Sequence, residues 1–286
     1  RGARLLAAEA EALAARRFAE IEGVRENNQL KVIGAMRAER VGEGHFAGTT
    51  GYGYGDGGRD ALDRVYARAF GCEDALVRTS IASGTHAIAL CLYALLGAGD
   101  ELLIVTGEPY ETLGGVLGVG KATAGSLTMG GVKVATVGLL ADGSVDLGAV
   151  ERAYTDRTAM TYIQRSRGYS MRPSLTVDAI RRTVGELRRI GRAHGGGGGL
   201  CGMGPGGAVV MVDNCYGEFV ETEEPVEVGA DIMAGSLIKN PGGGIAPGGG
   251  YVAGRADLVA RVADRLTCPG LGRHVGATYG LSRPMF

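Results

Sequence analysis

No C-x-x-C pair occurs in this sequence, and its five cysteines, at positions 72, 91, 201, 215 and 268, are an odd number at irregular spacing. That excludes a zinc ribbon or a disulfide framework and points to a reducing compartment, so a cytoplasmic location is expected. The four histidines, at 45, 86, 194 and 274, are too scattered to suggest a metal centre. Basic residues form no block longer than Arg-Arg pairs and the net charge is −1, which removes nucleic acid as an obvious partner. Apolar runs stop well short of the roughly 18 residues that span a bilayer, so no membrane partner is expected. The first twenty residues mix charge with Ala and Leu and do not read as a signal peptide. Tryptophan is absent, whereas glycine is abundant, 52 of 286 residues.

What remains is a chain long enough for one large or two smaller domains. Residues 3–21 read as an amphipathic helix with Leu6, Ala10, Leu13 and Ala14 on one face, and 27–60 read as irregular. Asp60 is the expected N-cap of a helix carrying Leu62, Val65, Tyr66, Ala69 and Phe70. Short apolar strands then alternate with helices: "ALVRT" (75–79), "ELLIVT" (101–106), "VKVATV" (132–137), "AMTYIQ" (159–164), "AVVMVDN" (208–214), "ADIMAG" (230–235) and "GYVAG" (250–254). Helices are expected at 85–96, near 146–154, at 176–194 and at 256–266. This alternation predicts an α/β fold with a mostly parallel sheet, whose ligands bind beyond the carboxyl ends of the strands. The glycine-rich run 195–207 reads as a surface loop without chemistry.

The strand ends carry the chemistry. Ser83, Gly84 and Thr85 open a helix, where free N–H groups and the helix dipole favour an anion such as phosphate, although alone they read as an ordinary cap. Tyr110 follows the next strand and offers a stacking wall, or plain packing. Asp213 ends a nearly all-apolar strand, and a carboxylate there needs a partner. Ser236 and Lys239 follow the strand after that, just before Pro-Gly-Gly-Gly. On its own Lys239 reads equally as a surface lysine in a turn; burial would lower its pKa, which suits an amine that attacks carbonyls. Phosphate cradle, ring, carboxylate and amine together describe a pyridoxal 5'-phosphate site. One decoy is present: Gly53, Gly55 and Gly58 satisfy G-x-G-x-x-G but follow no strand, so the dinucleotide reading fails.

These residues also carry a resemblance. "VDNCYGEFVETEEPVEVGADIMAGSLIKNPGGG", "ASGTHAI" and "EPYETLGGVLG" resemble motifs of the cystathionine and methionine lyase superfamily, and "QRSRGYSMRPSL" and "GATYGLSRPMF" resemble its branch of methionine γ-lyase-like or aluminium-resistance proteins. The resemblance implies a pyridoxal-phosphate-dependent fold type I large domain, like that of aspartate aminotransferase, over 46–286, preceded by an N-terminal helix and arm over 1–45. It implies Lys239 as the lysine that carries the cofactor and Asp213 as partner of the pyridine nitrogen. Tyr110 becomes the stacking ring, and Ser83, Gly84, Thr85 and Ser236 the phosphate ligands. It further implies a homodimer or homotetramer with shared sites, in which Tyr52, Tyr54 or Arg59 reaches a neighbour's phosphate. The implied activity is a carbon–sulfur lyase acting by β- or γ-elimination on a sulfur-containing amino acid. Another pyridoxal-phosphate reaction, aldolase or transferase, and a truncated non-catalytic binding protein stand as alternatives.

The sequence departs from the superfamily pattern in three ways. Ile238 stands where Thr is usual before the lysine, and "QRSRGYS" replaces the stretch that contacts the cofactor's phenolic oxygen, leaving Arg165, Ser166 or Arg167 as candidates. The chain also begins at Arg1 and ends at "GLSRPMF", so the C-terminal small domain, with its carboxylate-binding arginine, is expected to be missing.

Overall fold

Among the described residues, seven strands, each four to seven residues of mostly apolar sequence, hydrogen-bond into one sheet in the order β1-β7-β6-β5-β4-β2-β3. The computed structural model describes residues 2–120, 123–195 and 207–286. The strands are β1 (Asp74–Arg78), β2 (Glu101–Ile104), β3 (Lys133–Thr136), β4 (Thr158–Gln164), β5 (Val209–Asp213), β6 (Ile232–Ser236) and β7 (Gly250–Gly254). Pairs β2–β3, β2–β4, β4–β5 and β5–β6 are parallel, whereas β7 runs antiparallel to both β6 and β1. Reversing twice, β1 points the same way as β6. The carboxyl ends of β1, β2, β4, β5 and β6 therefore share one edge, which gathers chemistry from five places in the sequence. The fold is that of the fold type I pyridoxal-phosphate enzymes, a mostly parallel sheet between helical layers.

Period-two alternation divides the strands between two cores. On β5, Val210 and Val212 face the side covered by α2 (Gly57–Ala69), α5 (Leu147–Ala153) and α6 (Val177–Ala193), with Leu62, Ile180, Val184 and Leu187. Val209 and Met211 face α3 (Gly84–Leu95), α4 (Glu111–Leu117) and α7 (Ala256–Leu266), with Ile88, Leu92, Leu113, Leu258 and Val262. Asp213 continues the second set, so parity alone puts its carboxylate on the face from which α3 starts. No helix among the described residues is long and apolar enough to cross a membrane.

Two expectations change. The helix expected over 3–21 continues without a break as α1, Gly2–Ala38, because tertiary partners hold its polar second half. Asn28 Nδ2 donates to the carbonyls of Phe219 and Glu221, both at 2.9 Å, and Ala35 packs with Val65 and Ala69 of α2. Its first half keeps Leu6, Ala10 and Leu13 of the expected apolar face exposed. The N-cap of α2 is Asp56 rather than Asp60: its Oδ1 accepts from the Arg59 amide at 2.9 Å, while Asp60 takes the Arg59 side chain. Gly58 suits this early start, since a Cβ there would lie 2.1 Å from the His45 carbonyl oxygen. The glycine run 195–207 lies outside the described residues except for Gly195 and Gly207.

Candidate active site

At the shared carboxyl edge, a cavity of about 360 Å³ opens between the ends of β1, β2, β5 and β6. That volume falls in the range of small-molecule and cofactor pockets. Ser83, Gly84, Thr85, Tyr110, Asp213, Ser236 and Lys239, named from sequence at four separate strand ends, all line it. Ser83 caps α3 in the ordinary way, its Oγ accepting from the His86 amide at 3.1 Å. Gly84 is pressed against the cavity floor, where a Cβ would come 2.9 Å from Cys215 Sγ and 3.3 Å from Ser236 Cβ. The start of α3 thus brings backbone N–H groups beside a buried hydroxyl, an arrangement suited to an anion. Tyr110 is fixed at both ends: Gln164 Oε1 accepts from its amide and Thr85 Oγ1 from its hydroxyl, each at 3.0 Å.

Asp213 is only 1% exposed. Its Oδ1 accepts from the Cys215 amide at 3.0 Å and its Oδ2 from the Tyr162 hydroxyl at 3.2 Å. Burial pushes its pKa above the ordinary carboxylate range, opposed by those hydrogen bonds and by the charge of Lys239. A carboxylate so placed gains most from a cationic N–H partner inside the cavity.

Lys239 is half-buried, and its Nζ lies over the Tyr216 ring, 3.9 Å from the centroid. Its pKa is raised, not lowered as the sequence suggested. Burial pushes it down, but Cys215, Tyr216 and Asp213 outweigh that. From sequence, the glycines after Pro241 suit a backbone that turns closely around a cofactor, but they serve a different purpose. None of Gly242, Gly243 and Gly244 lines the cavity, and a Cβ on Gly242 would sit 1.9 Å from the Leu237 carbonyl oxygen, so it closes the turn upon itself.

Of Arg165, Ser166 and Arg167, Ser166 lines the cavity, Arg167 is exposed and Arg165 is buried elsewhere. Arg165 Nη1 donates to Asn214 Oδ1 (2.8 Å) and the Gly217 carbonyl (2.7 Å), and Nη2 to Glu221 Oε1 (2.8 Å). Glu224 stands 3.6 Å from the same guanidinium and takes the Asn214 amide at 2.8 Å. Next to this group Glu218 accepts from the Tyr251 hydroxyl at 2.8 Å while its other oxygen is buried without a partner; burial pushes its pKa up to about 8.

Tyr52, Tyr54 and Arg59 do not line the cavity of their own chain. The two tyrosines are exposed, with ring centroids 5.7 Å apart. Arg59 is 2% exposed and donates to the carbonyls of Gly53 (2.8 Å) and Gly276 (3.2 Å), tying the tyrosine loop to the C-terminal segment. Sequence reasoning missed Tyr162, Gln164, Cys215, Tyr216 and Tyr169. Strand parity could have found Tyr162 and Gln164, which share a face of β4 with Met160; Cys215, Tyr216 and Tyr169 lie in turns, outside any periodic pattern.

The chain as a whole is similar to known proteins. The sequence profile described as methionine gamma-lyase matches residues 4–286. An uncharacterized protein of Bacillus subtilis, YnbB, is 45% identical over 260 residues, 91% of this chain and 58% of its own length. The crystal structure of a carbon–sulfur lyase involved in aluminium resistance from Clostridium novyi matches with a TM-score of 0.88 at 41% identity, covering 99% of this chain and 65% of that one. L-methionine gamma-lyase of Pseudomonas putida is 28% identical over 246 residues, 81% of this chain and 49% of its own. The chain thus spans less than two-thirds of the length of these relatives.

Proposed function

Because the chain belongs to the methionine gamma-lyase family, we propose that it carries the pyridoxal 5'-phosphate site of a carbon–sulfur lyase acting on a sulfur-containing amino acid. The observation that carries this reading is the convergence of Lys239, Asp213, Tyr110, Ser236 and the Ser83–Thr85 helix start on one cavity. The donor set fits the group: N–H and hydroxyl donors for a phosphate, a ring for an aromatic face, a buried carboxylate for a cationic nitrogen and an amine for a carbonyl.

When bound, pyridoxal phosphate supplies an electron sink for the charge left at Cα. Gly84 and Thr85 amides, with the Ser236 hydroxyl, bind the phosphate. Tyr110, immobilised through Thr85 and Gln164, orients the ring. Asp213 keeps a proton on the ring nitrogen, aided by an environment from which water is excluded. Lys239 would hold the cofactor through its amine and, when that amine is free, would serve as the base that takes the proton from Cα. A thiolate on Cβ would leave against the Cα proton alone, whereas one on Cγ would leave only after a second proton is taken from Cβ. Assembly as a homodimer or homotetramer, with Tyr52 and Tyr54 presented to a neighbour's site and Arg59 bracing their loop, belongs to the same proposal.

Product analysis tests it. Incubating the cofactor-loaded protein with cystathionine, methionine and cysteine is expected to release a thiol together with a keto acid. Glycine plus an aldehyde from a hydroxyamino acid, with no thiol from any sulfur substrate, would replace the lyase reading with an aldolase.

A further inference from the structure

Tyr216 follows the buried Asp213-Asn214-Cys215 segment, yet its side chain is 61% exposed and its backbone φ is +69°. A bulky residue rarely adopts that left-handed conformation, and such outliers cluster where the surroundings enforce them. Here the enforcement is visible. Arg165 grips Asn214 and the Gly217 carbonyl from one side, and a Cβ on Gly217 would lie 2.5 Å from the Arg165 side chain. From the other side Asn240 Nδ2 donates to the carbonyls of Tyr216 and Glu218, both at 3.1 Å. Asn240 is the residue next to Lys239, so the strained turn and the lysine turn are tied directly to each other.

The consequence is the 3.9 Å approach of Lys239 Nζ to the face of the Tyr216 ring. We propose that Tyr216 is a positioning residue, its ring the resting place of the Lys239 ammonium whenever that amine is not joined to a carbonyl, with the Arg165 network holding the strained turn that puts the ring there. The role rests on reading Lys239 as the lysine that carries the cofactor. A cation over an aromatic face is stabilised in its charged form. The other groups facing it are Asp213 from β5, Cys215 beside Tyr216, and Tyr110 at the start of α4. Of these, only the Asp213 carboxylate offers full negative charge, and it already takes two hydrogen bonds. The ring therefore keeps the free lysine charged and parked at the mouth of the cavity, and capture of a carbonyl begins with its release.

The lysines of the cofactor-free protein are ¹³C-methylated, the Lys239 resonance is assigned by its loss in Lys239→Ala, and its shift is followed against pH. Tyr216→Leu is expected to move the midpoint to lower pH, raising the free-amine fraction at a fixed pH about threefold. Tyr216→Phe keeps the ring and loses only the hydroxyl, which also favours the charged amine, so its midpoint is expected between those of the wild type and the ringless variants. Tyr216→Asn removes the ring but suits the left-handed backbone, so it reads the same effect if the leucine variant fails to fold. An unchanged midpoint in the ringless variants, or an equal shift in the phenylalanine variant, overturns the proposal. A parallel arm measures capture of pyridoxal 5'-phosphate trapped by borohydride at Lys239, expected to be about threefold faster at neutral pH in the ringless variants. Absence of any trapped adduct at Lys239 would overturn the cofactor reading, while the titration separately decides the role of Tyr216.

Discussion

Asp213→Asn leaves cofactor capture at Lys239 intact and lowers turnover on the order of 10²- to 10³-fold, the loss expected when a preorganised charge is removed from a buried site. The substitution keeps the shape of the side chain. Its oxygen and amide can still meet the Cys215 N–H and the Tyr162 hydroxyl, the two partners that fix the carboxylate now. What disappears is the negative charge able to hold a proton on a heteroaromatic nitrogen. Steady-state kinetics on a sulfur amino acid, run beside borohydride trapping, separates the two effects. A variant that traps the cofactor normally and turns over at the wild-type rate would remove Asp213 from the chemistry.

Arg165→Met is expected to destabilise the fold by about 3–5 kcal/mol, as measured when one partner of a buried ion pair is deleted. Arg165 is the cation that faces Glu221 and Glu224, and Glu224 is 1% exposed. Burial already pushes the Glu224 pKa up, and the guanidinium is among the groups that hold it down. Without Arg165 the folded-state pKa rises further above the unfolded one. A carboxyl raised in this way favours the fold below its unfolded pKa and loses that contribution as pH climbs through the folded value. Urea titrations should therefore find the deficit of the variant largest at neutral pH and smaller towards the ordinary carboxylate range. Adding Glu224→Gln is expected to recover part of the loss. A deficit independent of pH would mean that lost packing, and not the charge network, is responsible.

The strands and most helices were legible because each is short, apolar and bounded by turn residues; α7 begins and ends where its periodicity says. Strand ends also carried the core of the site, since the fold places the carboxyl ends of parallel strands together whatever the sequence distance between them. The rest depended on contacts that no local pattern encodes. The second half of α1 looked irregular because Asn28 and Lys31 suggest solvent, yet both bind the loop at 219–227, about 190 residues away. Likewise Arg165 reads as one of three candidates in "QRSRGYS" for a cofactor contact until its partners at 214, 217 and 221 are seen around it. The reversal of the Lys239 pKa has the same origin: burial was foreseeable, but the gathering of Cys215, Tyr216 and Asp213 around the ammonium was not.

The central claim is that Lys239 carries pyridoxal 5'-phosphate. Incubation of the protein with the cofactor, reduction with borohydride and peptide mapping by mass spectrometry tests it most directly. The prediction is a single stoichiometric phosphopyridoxyl adduct on the peptide containing Lys239, lost in Lys239→Ala together with the visible absorbance of the complex. An adduct spread over Lys31 and Lys133 with none at Lys239, or one undiminished in the alanine variant, would contradict it.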